Sequence, residues 1–388
     1  MLKVKLLVYP LLVIGLVVGE TGNLPVVVAE ENSNYLEIPE TDPLLPPGNL
    51  NRQLTPLEQR RVKEEIATLE AEAITQLQQG NSSQAWELWF RQLRLYRALG
   101  KEPEIIALGT LGERAWQDNR RAELKVISDR LEAIYQLQDR DPLLPLMGTS
   151  ARQIRNLDTA VAIYSDLYRL AKDDNAKVKA YGEILGELHL AKFNYQDAAT
   201  VYQSLFDQTD STPEKEQYAL KLVKIYGYLQ QPAKAVALQQ ELKDYYLDRN
   251  QTNKLAALDI ALGDNYQAIE ETELAIQAYQ EAIAVSESIQ QIALLNEAWE
   301  KLGILYQSQQ QYDLAIEANQ KSIESNQAIG NLYGVVNNYE RLGKIYLELQ
   351  DKEQAVKSFS EALRIAQNLD YKVSYFANLL ETIKTTSQ

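Results

Sequence analysis

The sequence contains no cysteine. A chain without cysteine has no disulfide, no thiolate metal ligand and no cysteine nucleophile, so its fold depends on packing alone. It also has a single histidine, His189, which excludes a histidine-rich metal site. A glycine-rich phosphate loop and a Gly-x-Ser-x-Gly nucleophile motif are both absent. The sequence therefore predicts no catalytic residue, no metal site and no cofactor, and hence a protein that is not an enzyme.

Positive charge is scarce, since 39 Lys and Arg residues stand against 54 Asp and Glu residues, a net charge of −15. Affinity for nucleic acids comes mainly from Lys and Arg neutralising phosphates, so we expect no nucleic-acid partner. Phenylalanine and glycine are also few, at five and 17, whereas Ala, Leu, Gln and Tyr are abundant. This composition favours helices over strands.

The N-terminus lacks an apolar run long enough to cross a bilayer. Two lysines precede the apolar residues 6–18, a run well below the roughly 20 residues that a transmembrane helix needs. Small residues at Val27 and Ala29 suit a cleavage site after Ala29. Residues 1–29 are therefore predicted to be a signal peptide that exports the protein to a bacterial periplasm, a lumen or the extracellular space. In the alternative, residues 6–18 stay as a membrane anchor, the one predicted membrane contact.

A flexible linker is predicted over residues 30–54, which hold acids and four prolines but little periodic apolar content. It ends at Thr55-Pro56-Leu57-Glu58, where Thr55 is placed to cap a helix and Glu58 to complete a capping box. The folded part is predicted to begin there.

From about residue 180 onward the sequence repeats itself every 40 residues. The clearest marks are Leu222…Tyr226, Leu262-Gly263…Tyr266, Leu302-Gly303…Tyr306 and Leu342-Gly343…Tyr346, followed in each unit by Ala235, Ala275, Ala315 or Ala355. Looser units begin at Met147-Gly148 and Leu185-Gly186. This spacing predicts pairs of antiparallel helices, in which small residues let backbones approach and large residues fill the space between units. His189 falls in the tyrosine column of this pattern, which favours a packing role.

The pattern resembles the tetratricopeptide repeat, whose first helix carries Leu-Gly-x-x-Tyr and whose second carries Ala, an aromatic and a small residue. The resemblance spans about six units over residues 141–370. It implies an all-α fold, a right-handed α-solenoid of antiparallel helix pairs. The 40-residue period is similar to the long-repeat subclass of spindle-orientation adaptors and kinesin light chains. The family's usual glycine between the helices is replaced here, by Gln230, Glu270, Gln310 and Gln350.

The repeat array has predicted flanking segments. Residues 55–140 are helical by apolar spacing and are interpreted as divergent or capping repeats. A boundary is placed at residues 141–145, whose sequence Asp-Pro-Leu-Leu-Pro also occurs at residues 42–46. Residues 371–388 are predicted to form a capping helix and tail, because their apolar residues suit a helix that covers the last repeat.

The resemblance also implies a binding surface, because tetratricopeptide solenoids hold peptides on a concave face lined by the first helices of their units. It places on that face Glu183, Glu187, Lys221, Lys224, Asp264, Glu300, Glu340, Arg341 and Lys344. Since acids and bases alternate there, we expect a peptide ligand that is mixed in charge or basic.

A second candidate surface is an aromatic and basic segment with helical spacing, which includes Trp86, Trp89, Arg91, Arg94 and Arg97. Two interpretations stay open. The segment is a core helix whose arginines are solvated, or it is a recognition surface of the residue types that dominate interface hot spots.

The functional hypothesis is an exported, non-enzymatic scaffold or adaptor that binds a protein or peptide, with a role in assembling an envelope or membrane complex. The alternative is an accessory or regulatory subunit that binds a small ligand or a cell-wall polymer in its groove.

Overall fold

The computed structural model describes residues 42–45, 53–171 and 173–385. These residues form α-helices joined by short turns, and no β-strand occurs among them. The predicted all-α fold is therefore confirmed. The predicted signal peptide, most of the predicted linker and the last three residues lie outside the described residues.

Seventeen α-helices lie within the described residues. They are α1 Pro56–Gln78, α2 Ser82–Leu99, α3 Lys101–Gln117, α4 Arg121–Tyr135, α5 Leu144–Ile154, α6 Leu157–Leu170, α7 Asn175–Ala191, α8 Tyr195–Gln208, α9 Thr212–Tyr228, α10 Pro232–Asp248, α11 Thr252–Ala268, α12 Thr272–Ser288, α13 Ile292–Ser308, α14 Tyr312–Ala328, α15 Leu332–Glu348, α16 Lys352–Leu369 and α17 Val373–Thr385. A turn of 3-10 helix, Asp141–Leu143, precedes α5.

The chain divides into two compact units, Met1–Glu104 and Ile105–Gln388. The division lies earlier than the boundary placed at residues 141–145, which instead enter α5 inside the second unit. In the first unit, α1 packs on α2. The predicted capping box starts α1: the Thr55 backbone N–H donates to the Glu58 carboxylate at 2.7 Å, and the Glu58 N–H donates to the Thr55 hydroxyl.

The helices in the middle of the second unit have a constant length and spacing. Each helix from α10 to α15 has 17 residues and is separated from the next by three. The middle residue of each turn has a positive φ, and these residues recur every 20 positions: Gln230, Asn250, Glu270, Gln290, Gln310, Gly330 and Gln350. The 40-residue period therefore consists of two equal halves.

The turn after α13 shows how these helices end without glycine. The Gln311 N–H donates to the Tyr306 carbonyl at 2.9 Å, and the Gln310 N–H donates to the Gln307 carbonyl at 3.0 Å. This pattern is a Schellman motif, which satisfies carbonyls left open at a helix end. A residue other than glycine pays about 1 kcal/mol for the left-handed conformation. The four residues that replace the family's glycine thus keep its backbone geometry.

The repeat columns form the core of the second unit. The leucines and alanines of the pattern are buried in every unit from Leu222 to Ala355. Glycine is required where helices cross, because a Cβ on Gly263 would lie 2.4 Å from the Tyr279 ring and one on Gly343 would lie 2.6 Å from the Phe359 ring.

One repeat junction has a polar core. We call this cluster the polar seam; its members are the buried residues Asn296 of α13, Asn319, Ser322 and Asn326 of α14, and Asn338 of α15. The Ser322 hydroxyl donates to the Asn296 side-chain oxygen at 2.8 Å and accepts from the Asn338 amide at 2.7 Å. Arg341 donates to the side-chain oxygens of Asn319 and Asn338 at 3.2 and 3.0 Å. Hydrogen bonds therefore take the place of apolar packing across three helices.

Helix α17 covers the last helix pair. Phe376, Leu380 and Ile383 join one apolar cluster with Phe359 and Leu342. Such a covering helix is needed because each repeat leaves an apolar face open until a neighbour buries it.

Candidate binding surfaces

The first helices of consecutive units are linked by polar contacts. Lys301 of α13 lies 2.8 Å from Asp264 of α11, and Arg341 of α15 lies 3.0 Å from Glu300 of α13. Lys179 of α7 likewise lies 2.6 Å from a carboxylate of α9. We call the surface that carries these contacts the first-helix face. Its charges bind one repeat to the next.

Two tyrosines reach this face from the second helices. The Tyr202 hydroxyl donates to Glu187 at 2.9 Å, and Glu187 also pairs with Lys221. The Tyr279 hydroxyl donates to Asp264 at 2.7 Å. Burial, followed by the hydrogen bond to the adjacent carboxylate, raises the pKa of both tyrosines. Both hydroxyls therefore stay protonated and donate to the acid that follows the repeat glycine.

Glu340 joins α15 to the start of the closing helix. It accepts from Lys344 at 2.6 Å, from Lys372 at 2.9 Å and from the Tyr375 hydroxyl at 3.2 Å. Burial alone would raise the pKa of Glu340, but the hydrogen bonds from the two lysines outweigh burial and lower the pKa below its usual value. The carboxylate is therefore held ionised by its own neighbours.

The predicted groove residues do lie on first helices, but most of them bind each other or a neighbouring repeat. Glu183 accepts from the Tyr218 hydroxyl at 2.8 Å, and the Lys224 ammonium lies 6.0 Å from the centre of the Tyr228 ring. The sequence reasoning missed the partners Lys301 and Lys372. Opposite charges one repeat apart, at spacings of 32 to 41 residues, are the signal that could have found them.

A cleft of about 510 Å³ opens on the first-helix face between α5, α7 and α9. Its polar lining consists of Arg152, Glu183, Gln217 and the mutually bonded Glu187, Tyr202 and Lys221, and its apolar lining includes Ile184 and Leu188. Arg152 is exposed and has no polar partner among the described residues. Glu183 accepts a hydrogen bond from a neutral hydroxyl and forms no salt bridge within that part of the chain. Arg152, which the sequence reasoning missed, and Glu183 are thus the charges left to meet a ligand.

The aromatic and basic segment is not an aromatic recognition surface. Trp86 and Trp89 are buried in the first unit, and Trp89 donates its indole N–H to Glu70 at 3.0 Å. The core-helix interpretation is therefore the right one for these rings, because apolar spacing on one helix face buries that face. Arg94 is half-buried and Arg97 is exposed. Arg91 is half-buried in ion pairs within its own unit.

His189 is buried in the tyrosine column, as the repeat pattern predicts. Burial lowers the pKa of its imidazole, and Asp197 at 3.8 Å is too distant for a hydrogen bond. The ring is therefore neutral near pH 7. No group of three or more acidic or histidine side chains that could hold a metal ion occurs in the described residues. Within the same residues, no helix combines the length and apolar character that spanning a bilayer requires.

A family model of the tetratricopeptide repeat matches residues 294–368. The chain carries tetratricopeptide repeats. The matched segment runs through α13, α14, α15 and α16 and includes the polar seam. Tetratricopeptide repeat proteins generally bind protein partners, and scaffolds of this fold are generally not enzymes. Membership of the long-repeat subclass stays a prediction.

Several solved structures are similar in fold. MamA is 26% identical, with 48% of this chain and 96% of that chain covered at a TM-score of 0.38. Aspartyl phosphate phosphatase F from Bacillus subtilis is 16% identical, with 73% of this chain and 78% of that chain covered at a TM-score of 0.45. BtubC from P. vanneervenii is 18% identical, with 55% of this chain and 92% of that chain covered at a TM-score of 0.42. Likenesses at these TM-scores carry no argument about function. No curated protein matches the sequence significantly.

Proposed function

We propose that this protein is an interaction scaffold that binds a segment of a partner protein in the cleft between α5, α7 and α9. The observation that carries the proposal is the pair of Arg152 and Glu183, which line one cleft and form no salt bridge among the described residues. The other candidate acids on this face are already paired, as Glu187 is with Lys221.

The cleft favours a peptide of mixed charge. A guanidinium such as that of Arg152 binds a carboxylate through two parallel hydrogen bonds, and Glu183 can accept from a ligand ammonium or guanidinium. Ile184 and Leu188 line the same cleft and can bury an apolar ligand side chain. A peptide with an acid, an apolar residue and a base therefore complements all three features.

Affinity capture from a native extract tests the proposal, with the full chain as bait. The Arg152→Glu variant should retain at least ten-fold less of a partner than the wild type does, because the new carboxylate repels the ligand carboxylate that Arg152 would bind. Lys357→Glu is the matched control, since Lys357 is an exposed cation on α16, a second helix. A partner retained equally by both variants would contradict the proposal.

We also propose that the protein is exported and takes part in assembling an envelope or membrane complex. The support is the N-terminal sequence, in which an apolar run is followed by small residues at Val27 and Ala29. Mass spectrometry of the protein from its native cell should find a mature N-terminus at Glu30. An intact N-terminus in the membrane fraction would favour the anchor at residues 6–18 instead.

One observation favours the alternative ligand class, a cell-wall polymer. Tyr195 and Tyr228 stack with ring centres 4.6 Å apart, and the exposed Phe193 lies edge-on to Tyr195. Exposed aromatic faces of this kind suit the apolar faces of sugars. Tyr228→Ala should halve or further reduce co-sedimentation with purified cell wall, whereas Tyr333→Ala, a change at another exposed tyrosine, should not. Equal sedimentation of both variants would reject this ligand.

A further inference from the structure

The sequence Asp-Pro-Leu-Leu closes the same hydrogen bond, from its fourth residue to its first, at both places where it occurs. The Leu45 N–H donates to the Asp42 carbonyl at 3.1 Å, and the Leu144 N–H donates to the Asp141 carbonyl. Asp at the first position and Pro at the second are the preferred residues of such a turn. The motif thus forms its turn in two different surroundings.

The two copies are connected to the chain in different ways. In the second copy the turn leads directly into α5, and Leu144 is buried as the first residue of that helix. In the first copy α1 begins only at Pro56, after residues 46–52. Residues 42–45 lie instead as a short peptide on the helix pair of the first unit. Leu45 joins the apolar cluster of Val62, Ile66 and Leu95 there.

A buried ion pair fixes the acidic end of this peptide. The Asp42 side chain is 3% exposed, and its Oδ2 atom accepts from the Arg91 Nε at 3.3 Å. Arg91 is itself held at 2.8 Å from Glu65. The other oxygen of Asp42 accepts from the Leu44 N–H at 3.1 Å, which holds the turn in shape. The peptide therefore docks through a carboxylate at one end and a leucine at the other.

We propose that this surface of α1 and α2, which we call the turn site, is a second binding site with a defined specificity. Its ligand is a partner segment that forms an acidic turn followed by two leucines, and residues 42–45 occupy the site as a self-ligand. Arg91 recognises the carboxylate, and the cluster of Val62, Ile66 and Leu95 receives a leucine. The proposal stands apart from the cleft of the first-helix face.

Occupation by the chain's own segment sets how the site responds to a partner. Because residues 42–45 belong to the same chain as the site, they compete at an effective concentration on the order of millimolar. A partner turn with the same contacts therefore binds weakly while residues 42–45 are seated, and more tightly once they are released. The turn site is thus inhibited by the chain's own segment until a stronger ligand displaces it.

Fluorescence anisotropy with a labelled peptide of residues 40–48 tests the proposal on the full chain. The double variant Asp42→Ala with Leu45→Ala, which empties the site, should bind the peptide at least ten-fold more tightly than the wild type does. Adding Arg91→Gln should then weaken binding at least ten-fold, whereas adding Arg97→Gln, a change at an exposed arginine of the same helix, should not. A peptide of residues 139–147, which carries the same motif, should bind as well.

Each contrary result overturns the proposal. If the folded double variant does not bind the peptide, residues 42–45 are only a fixed cap on α1 and α2. If Arg91→Gln leaves binding unchanged, the peptide binds elsewhere.

A measurement on the wild type decides the matter should the double variant fail to fold. Saturating peptide should displace residues 42–45 and speed amide hydrogen exchange at Leu44 and Leu45 at least ten-fold, because a turn released into solvent protects its N–H groups much less than the same turn held on α1 and α2. Unchanged exchange would reject displacement.

Discussion

Two neighbouring repeats of this protein have the same backbone but different cores. The pair α11 and α12 and the pair α13 and α14 each consist of two 17-residue helices. In the first pair Gly263 lies under the buried ring of Tyr279. In the second pair Gly303 faces the buried amide of Asn319. The comparison shows that helix length and turn geometry set the repeat, while either an aromatic ring or a hydrogen-bonded amide can fill it.

The polar solution is tolerated because its groups have partners. The Asn319 amide donates to the Ala315 carbonyl at 2.7 Å, and Ser322 bonds to both flanking helices. A buried polar group without a partner costs about 1 to 3 kcal/mol, whereas a satisfied one costs little. Apolar packing accepts many neighbours, but these hydrogen bonds fit one register of α13, α14 and α15. The polar seam therefore gives that junction a specific alignment.

The largest expected effect is a difference in stability between alanine substitutions at the two glycines, Gly263 and Gly303. Gly263→Ala should lower the free energy of unfolding by about 3 kcal/mol, the upper end for overpacking, because the new Cβ would lie 2.4 Å from a rigid ring. Gly303→Ala should change it by less than about 1 kcal/mol, since the nearest atom is a side-chain amide at 3.0 Å and alanine favours the helix. Urea unfolding of both variants measures the difference, and equal losses would show that the two crossings are packed alike.

The next largest effect is expected when the small residues at equivalent positions of the two cores, Ser322 and Ala282, are exchanged. Ser322→Ala should cost about 2 kcal/mol, because it leaves the Asn296 and Asn338 side chains short of a partner. Ala282→Ser, the reverse change in the apolar repeat, should cost only about 1 kcal/mol, since its hydroxyl can bond to the carbonyl one turn earlier. Thermal unfolding followed by circular dichroism compares them. A harmless Ser322→Ala would mean that the seam does not stabilise the junction.

A smaller effect tests the turns that the two repeats share. Gln310→Gly should stabilise the protein by about 1 kcal/mol, because glycine adopts a positive φ without strain. The same substitution at the exposed Gln320 in the middle of α14 should destabilise it by about 1 kcal/mol. The two variants have the same composition, so chemical denaturation isolates the effect of position. Effects of equal sign would indicate that the left-handed turn carries no strain.

The smallest effect concerns the charged contact at the end of the array. Because the pKa of Glu340 is lowered in the folded state, its ion pairs stabilise the protein above the unfolded value near 4.5 and are lost as the pH falls through the folded value. Solvent screening limits this contribution to less than about 1 kcal/mol. Glu340→Gln should therefore reduce stability at pH 7 and flatten its fall between roughly pH 5 and 3. Thermal melts across that range measure the change, with Glu317→Gln as a control at an exposed acid. If Glu340→Gln and the wild type lose stability equally steeply as the pH falls, Glu340 does not contribute to the pH dependence.

The repeat geometry could be read from the sequence because it depends on local spacing. Leu262, Gly263 and Ala275 mark helix faces and a crossing point, and these positions are buried as predicted. The ionic partners of the candidate groove residues depend on more than local spacing. Glu300 pairs with Arg341 of the next first helix, which depends on side-chain reach between helices, whereas Lys344 pairs with Glu340 one turn earlier on its own helix. The buried environment of Trp86 depends likewise on which helix covers it.

The sequence by itself determined the helices, their 40-residue period and the packing columns of this protein, since these follow from apolar spacing and turn chemistry close along the chain. The tertiary structure alone decided which charges are left over and which segment occupies the turn site. Only contacts between distant segments show that Lys221 is paired with Glu187 whereas Arg152 forms no salt bridge, and that Asp42 binds Arg91. The physical reason is that hydrogen bonds and ion pairs need atoms within about 3 Å, a condition that chain position does not set.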